Sequence, residues 1–245
     1  MKTRVIVNGA QGKMGALTVR TFEHNDRQFE LVAKVDHRSS LAEAIKKNQP
    51  DIVVDFTTAA VAFENANIII DSGIRAVIGT TGFTPEQIEQ LKKNCAAQKL
   101  GAIIAPNFSI SAVLLMRLAK ECAQYISHVE IIEAHHENKA DAPSGTAIKT
   151  AELINETRAK TNPIKSHELI AGARGGDKDG IPIHSIRLPG FLGQQEIIFG
   201  SPGETLHLKH NTIDRNAFMP GVLLACEKVM QLNSLVYGLE DLLFK

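Results

Sequence analysis

The sequence predicts an α/β chain: a Rossmann-like, doubly wound parallel sheet, then a second α+β domain with a mostly antiparallel or mixed sheet. Three observations carry this reading. In the N-terminal part, short β-branched runs alternate with longer segments of helical spacing. Those runs are almost continuously apolar, the texture of strands covered by helices on both faces. Beyond Pro106 the texture changes to short strand candidates separated by glycine, which fits an antiparallel layer better than another βα repeat.

The predicted strands of the first domain are 4–7, 31–35, 52–55, 76–78 and 102–105, and the helices between them are 13–23, 41–47, 59–71 and 85–98. A helix over 111–124 leads to a strand over 129–134, a polar loop, and a helix starting at Ser144. The glycine-rich stretch 171–180 reads as a loop, with strands expected at 184–187, 195–199 and 206–211. Residues 217–231 are helical and apolar on one face, and are expected to pack back on the first domain. The domains are therefore drawn as 1–106 with 216–245, for dinucleotide binding, and 107–215, for substrate binding and oligomerisation.

A length of 245 residues suffices for two modest domains with real cores. Lys plus Arg and Asp plus Glu both number 27, which argues against a broad charged surface for nucleic acid or anionic membrane. Three cysteines without a CxxC spacing form neither a disulfide framework nor a zinc motif. The least charged stretch, 101–116, contains Pro106, Asn107 and two serines and is a poor membrane span. A cytoplasmic protein is expected.

The first strand run leads into Gly9, Ala10, Gln11, Gly12, Lys13, Met14 and Gly15, a GxxGxxG variant of the dinucleotide fingerprint. The first glycine permits a tight turn, the second lets backbone N–H groups approach a pyrophosphate, and the third allows close helix–strand packing. Phosphates would sit at the helix N-terminus, where N–H groups and the dipole favour negative charge. Asp36 closes the second strand run, where an acid accepts hydrogen bonds from the adenosine ribose and favours NADH. His37 and Arg38 follow, and suit the 2′-phosphate of NADPH, so both cofactors are expected to be accepted. Gly79, Thr80 and Thr81 follow the fourth strand, and Ala105, Pro106, Asn107 and Phe108 the fifth. Ligands of open α/β sheets bind beyond such strand ends.

The most informative stretch is 133–147, Glu-Ala-His-His-Glu-Asn-Lys-Ala-Asp-Ala-Pro-Ser-Gly-Thr-Ala. A helix start carrying Ser144, Gly145 and Thr146 is a ready carboxylate site. Lys139 supplies a compact positive charge and a proton. His135 and His136 can carry protons near neutral pH or bind an anion. Together they suit a small dianionic substrate that is protonated after hydride delivery. With no cysteine or third histidine at tight spacing, no metal is expected. Adjacent strand residues point to opposite sides, so one histidine can be a packing residue.

Residues 133–146 closely resemble the signature loop of the dihydrodipicolinate reductase family, and the resemblance extends along the chain through 9–14, 79–83, 105–109, 187–190, Gly203, Glu204 and His210. The glycine turn alone would equally serve an amino-acid dehydrogenase or an NAD-sensing regulator; the 133–146 loop belongs to neither. The resemblance implies reduction of 4-hydroxy-tetrahydrodipicolinate to tetrahydrodipicolinate with NADH or NADPH, in the diaminopimelate route to lysine. It also implies a homotetramer built through the substrate-domain sheets. It casts His135 as proton donor or acceptor, Lys139 as proton donor, and His136, Gly145 and Thr146 as substrate contacts. Residues 9–14, Asp36, 79–81 and 105–108 become cofactor contacts. The family often places a basic residue directly after the acid, where this chain has His37, which leaves the cofactor preference open. A hinge near Asn107 and Arg215 is expected to bring the second domain over the nicotinamide.

Overall fold

The structure, a computed structural model, describes residues 2–25, 27–161, 164 and 166–244. The ends of the predicted domain ranges, residues 1 and 245, lie outside them. The chain divides into two compact units, 1–110 with 218–245, and 111–217.

The first unit begins with β1 (Thr3–Asn8), α1 (Lys13–His24), β2 (Phe29–Val35), α2 (Leu41–Asn48), β3 (Ile52–Asp55) and α3 (Ala59–Asp71). It continues with β4 (Arg75–Ile78), α4 (Pro85–Gln98) and β5 (Ala102–Ile104). Among the described residues these strands build a six-stranded sheet that runs β11-β5-β4-β3-β1-β2, where β11 is Leu235–Tyr237. Every pairing in it is parallel. The strands are buried because both faces are covered: Ile6, Val53, Ala76 and Ile104 share one cluster with Ile69, Ile70 and Leu91 of α3 and α4, while α1 packs on β1 and β2 and the helix Met219–Val229 on β4 and β5. Each fully buried Ile, Val or Leu contributes roughly 1.5–3 kcal/mol of transfer free energy. Local chemistry sets the helix starts. Ser40 caps α2, and Thr84 with Gln87 forms a reciprocal capping box before Pro85 opens α4.

The second unit holds α5 (Ile110–Cys122), β6 (His128–His135), α6 (Gly145–Asn155), β7 (Gly176–Lys178), β8 (Ile181–Arg187), β9 (Gly193–Ser201) and β10 (Glu204–Thr212). Its sheet runs β10-β9-β6-β8-β7 among the described residues. β6 pairs parallel with β8 and antiparallel with β9, so the sheet is mixed. Its core joins Val129, Ile131, Ile183, Ile197 and Phe199 to Ala147, Ala151 and Ile154 of α6.

The chain then returns to the first unit through α7 (Met219–Val229), β11 and α8 (Glu240–Leu243). The helix expected over 217–231 does pack back there, against α1, β4 and β5. Among the strands, two depart from the sequence expectation. The stretch 171–180 contains β7, paired antiparallel with β8, and β11 adds a strand at the sheet edge. Both are three-residue strands, too short to show a periodicity of their own, and exist because a neighbouring strand offers its edge. The thiols are unpaired, Cys95 and Cys226 buried and Cys122 half-buried; burial pushes the Cys95 thiol up to about 11.

Candidate active site

In the first unit, Gly9 takes φ +76°, and a Cβ there would stand 2.5 Å from the Phe56 carbonyl oxygen. The position is closed to other residues by conformation and by space. Gly15 lies inside α1, where a Cβ would meet the Gly9 carbonyl oxygen at 2.0 Å, so the helix packs tightly on the turn. Ala10 N–H donates to the Val35 carbonyl (3.0 Å) and Gly12 N–H to the Gly9 carbonyl (3.0 Å). Gly12 is the N-cap of α1 and no side chain caps the helix. Its first-turn N–H groups are thus available to an anion, with Gln11 and Lys13 exposed and Met14 half-buried beside them.

A cavity of about 370 Å³ opens next to this turn, lined by Ala10, Gln11, Ala16, Arg20, Lys34 and Asp36. The Asp36 carboxylate accepts from Gln11 Nε2 (2.5 Å) and from the Arg38 backbone N–H (2.8 Å). An uncapped helix start, a turn only glycine can make, and an acid facing the cavity fit a dinucleotide's pyrophosphate and ribose.

The other strand-end loops are braced by a group that no sequence motif singles out. Asp55, at the end of β3, is fully buried. It accepts from Asn8 Nδ2 (2.7 Å), Thr57 N–H (2.9 Å), Thr57 Oγ1 (2.6 Å), Asn65 Nδ2 (3.0 Å) and Thr80 Oγ1 (3.4 Å). Gly79 N–H donates to the Asp55 carbonyl and Ala105 N–H to the Ile78 carbonyl, both at 2.9 Å. Thr80 is buried, Thr81 and Pro106 are exposed, and Asn107 Oδ1 accepts from Ser109 N–H at 2.8 Å. Phe108 is buried against Phe56 with ring centroids 5.6 Å apart. Residues 9–14, 36, 79–81 and 105–108 therefore all lie at carboxyl ends of parallel strands, on one edge of the sheet.

In the second unit the central group is Glu133, with 0% exposure. Its Oε2 lies 2.5 Å from His135 Nδ1. Arg187 grips both oxygens, Nη1 donating to Oε2 (3.0 Å) and Nη2 to Oε1 (2.8 Å). Ser144 N–H donates to Oε1 (3.2 Å). Burial alone would raise the carboxyl pKa, but the hydrogen bonds from His135, Arg187 and Ser185 and the guanidinium charge prevail and hold it at about 2. Arg187 Nη2 also donates to the Asp141 carbonyl (2.6 Å), and Lys139 Nζ donates to both Asp141 carboxylate oxygens (2.7 and 2.8 Å). Hydrogen bonds thus link the His135 imidazole, Glu133, Arg187 and the Asp141 backbone carbonyl, while the Asp141 carboxylate separately accepts from the Lys139 ammonium. His136 is half-buried, and its carbonyl accepts from Lys139 N–H (3.1 Å), turning the chain after β6.

Ser144 caps α6, its hydroxyl accepting from Ala147 N–H at 3.2 Å. It is buried, whereas Gly145 is exposed and Thr146 half-buried, so the accessible part of this helix start is 145–146. Of the groups organising the site, Glu133 and Arg187 have no role assigned by sequence reasoning. A signal exists for Glu133: in β6 it shares strand parity with the buried Val129 and Ile131, which puts its carboxylate on the inward face.

A Rossmann-like unit with an open glycine turn, continuous in chain with a unit that presents an imidazole and an ammonium tied to each other through Glu133, Arg187 and Asp141, defines a nicotinamide-nucleotide oxidoreductase. Within that class the chain belongs to the dihydrodipicolinate reductase family. Residues 3–108 match the family's N-terminus model and residues 111–243 its C-terminus model. A 4-hydroxy-tetrahydrodipicolinate reductase of Legionella pneumophila is 54% identical over 244 residues, covering 99% of this chain and 100% of that protein. One of Coxiella burnetii is 54% identical over 245 residues, with the same coverage. The dipicolinate-bound dihydrodipicolinate reductase of Paenisporosarcina sp. TG-14 superposes with a TM-score of 0.90 at 41% identity, covering 99% of this chain and 100% of that one. The fold alone is shared with GenD2 from gentamicin A biosynthesis, solved in complex with NAD, at 15% identity and a TM-score of 0.64. The coverage is 94% of this chain and 86% of that one.

Proposed function

We infer that this chain reduces 4-hydroxy-tetrahydrodipicolinate to tetrahydrodipicolinate, with loss of water, in the diaminopimelate route to lysine. NADH or NADPH, when bound, supplies the hydride. The observation that carries the reading is the folded 133–146 loop, in which His135 and Lys139 are tied to each other through Glu133, Arg187 and Asp141 beside the start of α6. Lys139 stabilises the charge that develops on hydride addition and donates the proton that balances it, with His135 beside it as proton donor or acceptor. Gly145 and Thr146, on the helix start that Ser144 caps, hold a substrate carboxylate, with His136 at its side. The first unit holds the cofactor through residues 9–14, Asp36, 79–81 and 105–108, so 1–106 with 216–245 is the dinucleotide domain and 107–215 the substrate domain.

The same reading makes the enzyme a cytoplasmic homotetramer that assembles through the second unit's sheet. β10, at the edge of that sheet, is exposed along most of its length and carries the exposed Leu206. Among the described residues no helix is long and apolar enough to cross a membrane.

A coupled assay with freshly made substrate, following loss of NADH and NADPH absorbance, tests the activity. Lys139→Ala is expected to lower kcat by about 10²–10⁴-fold while cofactor affinity holds; near-normal kcat would remove Lys139 from proton transfer. Light scattering of the purified chain at several concentrations tests the tetramer.

A further inference from the structure

Glu133 lies on a strand face otherwise given to Val129 and Ile131, in a sheet core of aliphatic side chains. A buried carboxylate carries a large desolvation cost, so its partners reveal its use. They come from each element packed around it. His135 is on the same strand and face. Arg187 and Ser185 come from β8. The Ser144 N–H comes from the α6 cap. From β9, Gln195 stands opposite Glu133 in register but donates to Thr150 Oγ1 at 2.7 Å instead. Lys139 and Asp141 are linked to Glu133 through Arg187.

An ionised carboxylate only accepts hydrogen bonds, so the hydrogen between it and Nδ1 belongs to His135. Among the described residues Nε2 has no hydrogen-bond partner. It faces Gly193, where an added Cβ would stand 3.6 Å away, and the His135 side chain keeps 20% exposure. We propose that Glu133 is a positioning residue: it fixes His135 in the Nδ1–H form, so that Nε2 is the atom shown to the substrate, and Arg187 ties this choice to the loop bearing Lys139. The proposal rests on the reductase reading above, since it deepens His135's part in it. Glu133 stays ionised throughout the neutral range, and a fixed carboxylate partner both selects a tautomer and supports the imidazolium.

The test is Glu133→Gln, whose amide can offer either an acceptor or a donor to Nδ1. Because this leaves Arg187 without its carboxylate, the same measurements are made on E133Q/R187M, which removes both charges. In ¹⁵N spectra of histidine-labelled protein, wild-type His135 is expected to show a single Nδ1–H tautomer and the variants a mixture. Expected kinetics are a kcat lower by about 10²-fold or more, with KM for NADH unchanged. In a His135→Gln background, E133Q is expected to add less than about twofold, because residues acting as a unit are not additive. The proposal is overturned by a folded variant with kcat within about twofold of wild type, or by E133Q and H135Q losses that multiply. An unchanged Nδ1–H tautomer in both variants overturns it as well. If the wild-type chain fails to reduce the substrate at all, the reductase reading fails, and the ¹⁵N tautomer readout still decides whether Glu133 fixes the ring.

Discussion

Asp55 and Glu133 are both carboxylates with 0% exposure, one in each unit, and they are held by opposite kinds of partner. Asp55 accepts from amides and hydroxyls only: Asn8, Thr57, Asn65 and Thr80. Glu133 accepts from an arginine, an imidazole, the Ser144 backbone N–H and Ser185. The neutral set reads as bracing, because those donors lie on β1 and on the segments after β3 and β4, where the cofactor is expected. The set around Glu133 couples a carboxylate to a permanent guanidinium charge and to an imidazole that can change protonation. Burial alone therefore does not tell a structural acid from one that tunes chemistry; the charge of its donors does.

The largest effect that would sharpen this contrast is on stability. Glu133→Ala leaves Arg187 beside an empty acceptor and is expected to cost about 3–5 kcal/mol, measured by urea unfolding at neutral pH. The wild-type contribution depends on pH with a definite sign. The folded pKa of about 2 lies below the ordinary carboxyl value of 4.5. The stabilisation is therefore complete above about pH 5 and is lost as pH falls toward 2, by about 3 kcal/mol. Glu133→Ala should lack this acid-limb loss, and a variant that unfolds along the wild-type pH curve would contradict the charge-coupled reading.

Asp55→Asn is expected to cost less, about 1–3 kcal/mol, because one amide turned toward neutral donors leaves a few groups unsatisfied rather than a bare cation. It should raise KM for NADH more than it lowers kcat; steady-state kinetics with unchanged KM would break the bracing role. Asp36→Ala should weaken NADH by about tenfold, the worth of one charge-assisted hydrogen bond, and NADPH less. Equal weakening in KM measurements would remove Asp36 from ribose recognition. The smallest effect belongs to Asp141→Asn. The Lys139–Asp141 pair has Asp141 at 59% side-chain exposure, so thermal unfolding should shift by less than about 1 kcal/mol. A larger loss would show that the loop depends on this ion pair for its fold.

Much of this architecture is legible in the order of the residues. The helix over 59–71 and the strand over 52–55 adopt the bounds that their patterns predict, because a doubly covered strand must be continuously apolar and its helix must carry a stripe. The Ser144 start of α6 follows from capping chemistry alone. The pattern predicts five strands for the six-stranded sheet, since Leu235–Tyr237 offers no local signal and joins only because β5 presents a free edge. Arg187 is the clearest case of a site residue hidden by sequence distance: only the parallel β6–β8 pairing brings it across from His135.

The sequence by itself determined the alternation of strands and helices, the glycine turn, the acid after β2 and the histidine–lysine loop. Those follow from rules acting over a few residues: apolar periodicity, φ preference and helix capping. Tertiary structure alone decided that Glu133 keeps its charge in an apolar core, which imidazole nitrogen it binds, and that Asp55 gathers donors from three segments. A buried charge is stable only where distant elements supply its hydrogen bonds together, and no local rule contains that condition.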